Sequence, residues 1–306
     1  MTPKIVQVHD KEYFLDGFDP KQLYLHEVVE ALVSKKSEFQ QIDIFRTAKY
    51  GKALTLDGFP QIAEIGDSYT EALVIPALFF HHNPGRVLIL GGGDGPALAL
   101  VLKDPRVKEV VLVDIDPLVV ALTQKHLPEL WGDAVSDPRV TIVYKDALKF
   151  LRENGDRFDV IISDLVDPEE GTVAAHLMSP EYFGMCAANL FTDGIFAMQA
   201  GELTPQKFAG HKKALGLVNC SFKEQRSYSV HVPWFSTVWS FIVARNPAVY
   251  RNPLGVHDLG FLYPEAHAPA LFRARGEFAE NLKHLDSQTF GALFAVPKVI
   301  KERLAA

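Results

Sequence analysis

The chain has 306 residues, of which 48% are hydrophobic and 23% charged, a composition typical of a globular protein with a sizeable core. Its formal net charge of -7 disfavours nucleic acid as the main partner, because binding a phosphate backbone needs a basic surface. No stretch is long and apolar enough to span a bilayer, and residues 1–4 (MTPK) lack the apolar run of a secretory signal. The cysteines, Cys186 and Cys220, do not have the spacing of a zinc site, and their scarcity favours a reducing compartment. We therefore expect a cytoplasmic protein with no membrane partner and no metal.

The first 66 residues are predicted to form a small antiparallel β domain. Residues 37–45 (SEFQQIDIF) alternate polar and apolar side chains, which is the pattern of a half-buried strand. Residues 53–56 are a second candidate strand, and the Asp-Gly pair that follows them is a hairpin turn signal. Residues 28–33, which precede both strands, could form a short helix.

From residue 67 to residue 306 the pattern becomes that of an α/β domain. Wholly apolar runs, most of them separated by segments of helical spacing, indicate a parallel sheet with helices on both faces. The runs are residues 87–90, 110–113, 140–144, 160–162, 195–198 and 238–244. Helical spacing is found in residues 68–81 and 118–127. We expect a Rossmann-like, parallel-rich sheet.

Aspartates follow the first four of these runs closely. They are Asp94, Asp114, Asp146 and Asp164. In an open α/β sheet, ligands bind outside the carboxyl ends of the strands. We therefore expect the four carboxylates to surround one crevice.

The first of these positions lies in a glycine-rich turn, residues 91–95 (GGGDG). Gly91 and Gly93 would let a ligand approach the backbone closely, although such a turn also occurs without any ligand. Asp94 would repel a pyrophosphate at the start of a helix and would attract an ammonium group. This disfavours NAD or FAD and favours an adenosyl-sulfonium ligand with a free amine. Asp94 could alternatively serve only as a helix N-cap.

Two further aspartates suit a nucleoside. Asp114 follows the glycine turn by about 20 residues, the spacing at which an acid binds ribose hydroxyls. Asp116, two residues later, could cap the next helix. Asp146, followed by Ala147, could reach the amino group of adenine or could instead cap the helix that begins there.

The predicted reaction centre is the segment of residues 163–168 (SDLVDP). Asp164 and Asp167 can hold cationic amines at the end of a strand, and Pro168 stiffens the turn. A free aliphatic amine has a pKa near 10, so an attacking amine must first lose a proton. A carboxylate there can accept that proton. The alternative is a surface turn with two solvated acids.

In order and spacing, these motifs resemble those of the spermidine and spermine synthases. The resemblance also covers residues 51–58, 69–71, 199–201, 231–233 and 294–298. It implies an aminopropyltransferase with an N-terminal β domain (residues 1–66) and a Rossmann-like, class I methyltransferase-like catalytic domain (residues 67–306). It further implies a homodimer or homotetramer, no metal and no prosthetic group. The co-substrate would be decarboxylated S-adenosylmethionine, and the partner a small cationic amine.

The resemblance also implies roles for individual residues. Asp164 would be the catalytic proton acceptor. The donor would be bound by Gln40, Gly91, Gly93, Asp94, Asp114, Asp146 and Ala147. The substrates would be bound or positioned by Gln61, Tyr69, Asp167, Gln199, Tyr228 and Phe235. Residues 169–178 would form a loop that closes over them.

The chain departs from the family pattern at three places, one of which is Pro96, where a second glycine or a small residue is common. Residues 66–68 (GDS) are one residue shorter than the usual segment, and Thr70 replaces a His or Gln. The Tyr-Pro-Ser-Gly run of putrescine-specific members is replaced by residues 234–237 (WFST), a motif closer to that of thermospermine-forming members. Glu169 and Glu170 could meet additional ammonium groups or could simply be solvated. We expect an acceptor larger than putrescine, such as spermidine or agmatine.

Three other functions remain open at this point. A methyltransferase that uses intact S-adenosylmethionine would share the fold, but it must also accommodate the carboxylate of its cofactor near Asp94. A non-catalytic polyamine-binding homologue would keep the site without turnover. A dehydrogenase is the least favoured, because its pyrophosphate would lie beside Asp94.

Overall fold

The computed structural model describes residues 5–19, 22–166, 172–247 and 255–305. Within these ranges the chain forms an antiparallel six-stranded sheet followed by a seven-stranded, mostly parallel sheet. No helix in the described ranges is long and apolar enough to cross a membrane.

The N-terminal sheet is a simple meander in which each strand pairs with the next. Its strands are β1 (Ile5–Val8), β2 (Lys11–Asp19), β3 (Gln22–Lys36), β4 (Gln41–Thr47), β5 (Gly51–Leu56) and β6 (Phe59–Ala63). The predicted hairpin turn between β5 and β6 is confirmed, with Asp57 and Gly58 at φ angles of 51° and 80°. These are the left-handed conformations that Asp and Gly tolerate in a tight turn.

The prediction of a helix at residues 28–33 is wrong. These residues lie in the middle of β3, which pairs with β2 on one edge and with β4 on the other. Val28, Val29 and Val33 are β-branched and suit a pleated strand. Within this segment only Val28 also pairs with β2, and the residues up to Val33 pair with β4. This pairing takes the place of the internal hydrogen bonds of a helix, so tertiary context decides the structure.

The second sheet has the strand order β12-β13-β11-β10-β7-β8-β9. Its strands are β7 (Arg86–Gly91), β8 (Glu109–Asp114), β9 (Val140–Tyr144), β10 (Phe158–Asp164), β11 (Leu190–Glu202), β12 (Glu224–Val232) and β13 (Thr237–Arg245). β7 to β11 run parallel, and β13 runs antiparallel to both β11 and β12. All six predicted apolar runs are strands. β12 was not predicted, because it is an edge strand with a mostly polar sequence.

The helices cover both faces of this sheet. They are α1 (Tyr69–Phe80), α2 (Pro96–Leu102), α3 (Pro117–His126), α4 (Pro128–Trp131), α5 (Ala147–Glu153), α6 (Pro180–Ala188), α7 (Ala209–Ser221), α8 (Val256–Leu262), α9 (Pro264–Arg275), α10 (Glu277–Glu280), α11 (Ser287–Leu293) and α12 (Lys298–Ala305). Val87, Ile89 and Leu112 pack on the side of α1 and α2. Leu88 and Leu90 pack on the side of α5 and α6. Burial on both faces explains why these strands are apolar throughout.

The two sheets meet through an apolar contact close to the carboxyl edge of the second sheet. Ile42, Leu54 and Ile62 of the N-terminal sheet pack against Val119 and Leu122 of α3. The N-terminal sheet ends with β6 and α1 begins at Tyr69, so the predicted domain boundary at residue 66 falls in the connection. The boundary itself stays a prediction.

The first turn of α1 is held by a buried carboxylate. Glu71 accepts hydrogen bonds from the backbone N–H groups of Lys283, His284 and Leu285, at 2.6, 2.9 and 2.9 Å. Charge-assisted bonds of this kind are among the strong ones in proteins. They fix the start of α1, and with it Tyr69, against the C-terminal helical region.

Candidate active site

A cleft opens where the carboxyl ends of β7, β8 and β10 face the N-terminal sheet. It encloses about 1300 Å³ of space, including its open mouth. The predicted site residues that line it are Gln40, Gln61, Tyr69, Gly91, Gly93, Asp94, Asp114, Asp146, Ala147, Asp164, Gln199 and Phe235. The structure therefore brings all four predicted aspartates to one hollow, as the topology of a parallel sheet requires.

The glycine turn is shaped by close backbone approach. Gly91 has a φ of 82°, and a Cβ there would collide with the carbonyl oxygen of Asp164. Gly92 donates its N–H to that same carbonyl at 3.0 Å. A Cβ on Gly93 would press on the carboxylate of Asp114. The glycines thus let the ends of three strands converge, which other residues would prevent.

Asp94 is not the N-cap of α2, since that position is Gly95. Its Oδ1 atom is buried and has no hydrogen-bond partner among the described residues. Loss of hydration, followed by the charges of Asp164, Asp67 and Asp114, raises the pKa of Asp94 well above its usual value. Such a carboxyl group is short of a cationic or hydrogen-bonding partner, which a bound ammonium group would supply.

Asp164 lies at the end of β10 and is oriented by a tyrosine. The hydroxyl of Tyr69 donates to its Oδ1 at 2.6 Å. Loss of hydration raises the pKa of Asp164 to about 6, the bond from Tyr69 opposes the rise, and the charges of Asp67 and Asp114 add to it. A carboxylate with a pKa close to neutrality is suited to accept and release protons at physiological pH.

Both oxygens of Asp114 are held by backbone groups. Oδ2 accepts from the N–H of Gly93 at 2.9 Å, and Oδ1 accepts from the N–H of Asp116 at 2.8 Å. Burial is the largest influence on Asp114 and raises its pKa to about 6 against these bonds. Asp116 caps α3 by accepting from Leu118 N–H at 3.0 Å, so the predicted cap is confirmed.

Asp146 is a helix cap that also lines the cleft. Its Oδ1 accepts from the N–H of Lys149 at 2.8 Å, which confirms the capping role. Its Oδ2 lies 2.8 Å from Nε2 of His176, a residue of the short helical turn Ala175–Leu177. A contact of Asp146 with adenine stays a prediction. Any such contact would have to share Oδ2 with His176 or displace it.

The opposite end of the cleft has an aromatic wall. The rings of Tyr69 and Phe235 meet edge to face at 5.7 Å, and those of Phe235 and Trp239 at 4.8 Å. The Gln199 amide donates to the Leu165 carbonyl at 2.8 Å and accepts from the indole N–H of Trp239 at 3.1 Å. Gln199 therefore fixes the wall and the backbone after β10, while one side of it faces the cleft.

The structure does not bring Tyr228 to the cleft, contrary to its predicted place among the substrate contacts. Its side chain is 0% exposed and packs against Phe241 and Phe294, with ring centroids 5.4 and 4.8 Å away. Tyr228 lies on the edge strand β12, on the face that the C-terminal helices cover. Sequence motifs alone could not show that this face is closed.

Asp167 lies outside the described residues, as do Glu169 and Glu170. The described part of the predicted closing loop does reach the site, since Thr172, Val173, Ala174 and Leu177 line the cleft. That the loop closes over substrates stays a prediction.

Sequence reasoning missed two residues that act on the site. His176 contacts Asp146 from the short helical turn Ala175–Leu177, and nothing in its local sequence signals that partner. Asp67 raises the pKa values of Asp94 and Asp164 through its charge, and its Oδ1 accepts from Thr70 N–H at 3.0 Å. Asp67 precedes the first residue of α1, Tyr69, by two positions, and this place just before a predicted helix is a signal that the sequence does contain.

Comparisons with known proteins agree in both domains. Residues 66–252 match the model of the spermine/spermidine synthase domain, and residues 14–64 match that of the spermidine synthase tetramerisation domain. The polyamine aminopropyltransferase of Aeropyrum pernix is 35% identical over 295 residues, 96% of this chain and 90% of that protein.

Solved structures agree as well. A spermidine synthase in complex with the transition state analogue AdoDATO has a TM-score of 0.84 and 27% identity, covering 96% of this chain and 94% of that one. The spermidine synthase of Thermotoga maritima has a TM-score of 0.83 and 27% identity, covering 100% of this chain and 97% of that one.

The raised pKa of Asp94 predicts an unusual effect on stability. A carboxyl group whose pKa is higher in the folded than in the unfolded protein stabilises the fold at low pH, and this contribution is lost as pH rises through the folded value. We expect Asp94→Asn to raise the free energy of unfolding of the ligand-free protein at pH 8, by on the order of 1 kcal/mol, and less at pH 5. Denaturant unfolding of the wild type and the variant, at fixed protein concentration, measures the free energy of unfolding at each pH.

The exposed Asp133 provides a control, because Asp133→Asn should change stability little at either pH. A destabilised Asp94→Asn protein at pH 8, or an equal change at both pH values, would show that Asp94 is not a strained anion.

Proposed function

This chain belongs to the spermine/spermidine synthase family and is an aminopropyltransferase, and we propose that Asp94, Asp114 and Asp146 hold its donor while Asp164 is the catalytic base. The enzyme moves the aminopropyl group of decarboxylated S-adenosylmethionine to a polyamine or diamine and releases methylthioadenosine. In the proposed arrangement Asp94 binds the aminopropyl ammonium group, Asp114 the ribose and Asp146 the adenine.

These roles are best supported by the absence, among the residues that the structure describes, of cationic protein partners for three carboxylates of the cleft. Within the described ranges, no Lys or Arg side chain forms an ion pair with Asp94, Asp114 or Asp164. Lys145 also lines the cleft, but its ammonium group pairs with Glu153 at 2.7 Å. The uncompensated charge is complementary to a cationic donor and a cationic acceptor, which would otherwise repel each other.

The proposed reaction is a direct displacement. The acceptor nitrogen attacks the carbon next to the sulfonium sulfur, the carbon–sulfur bond breaks, and its electron pair stays on sulfur, so methylthioadenosine leaves neutral. Tyr69 occupies Oδ1 of Asp164, which leaves Oδ2 to take the proton of the attacking amine. The sulfonium supplies the electrophile, while the protein contributes alignment and a deprotonated nucleophile.

For the acceptor we propose an amine longer than putrescine, such as spermidine or agmatine. The wall formed by Tyr69, Phe235 and Trp239 can cover the methylene groups of a long amine and contact an ammonium group through its ring faces. Phe235 brings no hydroxyl group to anchor the second amine of a short diamine. In a longer acceptor, the cationic group at the unreactive end can extend past the aromatic wall and needs no such anchor.

For assembly we propose a homodimer or homotetramer held by the N-terminal sheet. This sheet exposes a set of large apolar side chains, a feature of interaction surfaces. They are Ile5, Val8, Leu23, Leu25 and Val29. We also propose a cytoplasmic location, in keeping with the two free thiols of Cys186 and Cys220.

The first test is analysis of products formed from the decarboxylated donor with putrescine, agmatine, cadaverine, spermidine and norspermidine. We expect methylthioadenosine and an aminopropylated amine, with a kcat/KM for spermidine or agmatine about tenfold or more above that for putrescine. A preference for putrescine would contradict the proposed acceptor. S-adenosylhomocysteine made from the intact cofactor would indicate a methyltransferase, and binding without turnover would indicate a non-catalytic homologue.

The role of Asp164 is tested by Asp164→Asn. Loss of a general base lowers kcat by about 10²- to 10⁴-fold, whereas we expect methylthioadenosine affinity to change by less than about threefold. In the wild type, kcat/KM should fall as the pH drops through the Asp164 pKa of about 6, because the protonated carboxyl cannot accept the amine proton. Asp133→Asn is the matched control. Unchanged turnover in Asp164→Asn would remove this residue from the mechanism.

A further inference from the structure

The turn between β3 and β4 reaches from the N-terminal sheet into the donor side of the cleft. Within it, the hydroxyl oxygen of Ser37 accepts from the backbone N–H groups of Phe39 and Gln40, at 3.0 and 3.1 Å. The hydroxyl of Ser37 makes its shortest hydrogen bond to Oδ2 of Asp116, at 2.6 Å, while the Gln40 carbonyl lies farther away, at 3.2 Å. The side-chain amide of Gln40 donates to the same carboxylate oxygen at 3.1 Å. The turn thus presents two hydrogen-bond donors, the Ser37 hydroxyl and the Gln40 amide, to the carboxylate of Asp116 in the catalytic domain.

Asp116 is 0% exposed, and burying a carboxylate is costly unless it accepts hydrogen bonds. Its Oδ1 is occupied by the N–H of Leu118 in the cap of α3. The two hydrogen-bond donors to its Oδ2, Ser37 and Gln40, belong to the N-terminal domain. The N-terminal sheet therefore supplies a large share of the hydrogen bonding that makes this buried side chain tolerable.

The backbone of Asp116 in turn fixes Asp114. Its N–H donates to Oδ1 of Asp114 at 2.8 Å, while Gly93 N–H holds the other oxygen at 2.9 Å. A hydrogen-bonded path of two links therefore leads from the Ser37 hydroxyl to the Asp114 carboxylate. Tyr69 and Asp164 lie on α1 and β10 and take no part in it.

We propose that Ser37 and Asp116 are positioning residues for Asp114, so that the N-terminal sheet sets the affinity of the enzyme for the nucleoside of its donor. This inference rests on the proposed binding of ribose by Asp114. When the Ser37 hydroxyl is absent, the Asp116 side chain loses its shortest bond and the turn of residues 114–116 loosens. The ribose-facing carboxylate then loses its fixed orientation, while the reacting groups keep theirs.

The variant that tests the proposal is Ser37→Ala. A hydrogen bond to a buried charge is strong enough that we expect the KM for the donor and the Kd for methylthioadenosine to rise about 5- to 30-fold. The kcat at saturating donor and the KM for the amine should stay within about twofold. Ser37→Thr keeps the hydroxyl group and should restore donor affinity to within about threefold of the wild type.

Ser34→Ala is the matched control, because Ser34 lies on β3, three residues before Ser37, and its side chain bonds Gln41, at 3.0 Å, and Asp43 of the same sheet. It should leave donor affinity unchanged. If Ser37→Ala does not fold, Asp116→Asn takes its place, since Asn still caps a helix but removes the charge that Ser37 supports.

The decisive readout is calorimetric binding of methylthioadenosine and of an analogue that lacks the ribose hydroxyls. The wild type should bind the analogue more weakly, and Ser37→Ala should lose most of that preference, because the two changes remove the same interaction. An equal loss of affinity for both nucleosides, or no loss, would overturn the inference and leave the transferase function intact. A wild type that does not distinguish the nucleosides would contradict the ribose role of Asp114 and overturn the inference with it.

Discussion

The uncompensated negative charge at the carboxyl edge of the second sheet is the constraint on which the rest of the structure depends. Asp94, Asp114 and Asp164 are desolvated and lie near one another, and two of them have pKa values raised to about 6. Each of them makes the empty protein less stable than neutral groups would. The same feature makes the cleft attractive to two cations at once, so the protein gives up stability for function, as active sites commonly do.

Several features of the fold hold this charge in place. The absence of side chains at Gly91 and Gly93 allows the ends of β7, β8 and β10 to approach each other. Tyr69 orients the carboxylate of Asp164, the proposed proton acceptor, and Glu71, two residues later, anchors α1, the helix that carries Tyr69. On the donor side, the N-terminal sheet contributes hydrogen bonds as well as an apolar contact. The small domain is thus part of the cleft.

Much of this organisation could be predicted from sequence because it depends on local patterns. Strands buried on both faces are apolar throughout, and ligands gather where such strands end, so the positions of Asp94 and Asp164 followed directly. Strand β12 could not be predicted from an apolar run, because an edge strand tolerates polar residues. The helix expected at residues 28–33 is wrong because strand pairing with β4 outweighs local propensity.

What could not be predicted depends on contacts between residues distant in the chain. Tyr228 is buried under C-terminal helices whose packing no motif reveals. The pairs His176 with Asp146 and Ser37 with Asp116 join segments 30 and 79 residues apart. The ordered aspartates were sufficient to indicate a cleft for cationic ligands, because charge complementarity needs only their convergence, whereas the reaction itself was indicated by the family resemblance. The surrounding network of hydrogen bonds is visible only in the folded structure.

The most direct test of the central claim compares the affinities of the ligand-free enzyme for decarboxylated and for intact S-adenosylmethionine. The intact cofactor would place its carboxylate beside Asp94. Two unit charges about 5 Å apart repel by roughly 3 kcal/mol at an effective dielectric constant of about 20. We therefore predict that the decarboxylated donor binds about 100-fold more tightly. Affinities that agree within about threefold would contradict the account, because they would show that the cleft does not discriminate by charge.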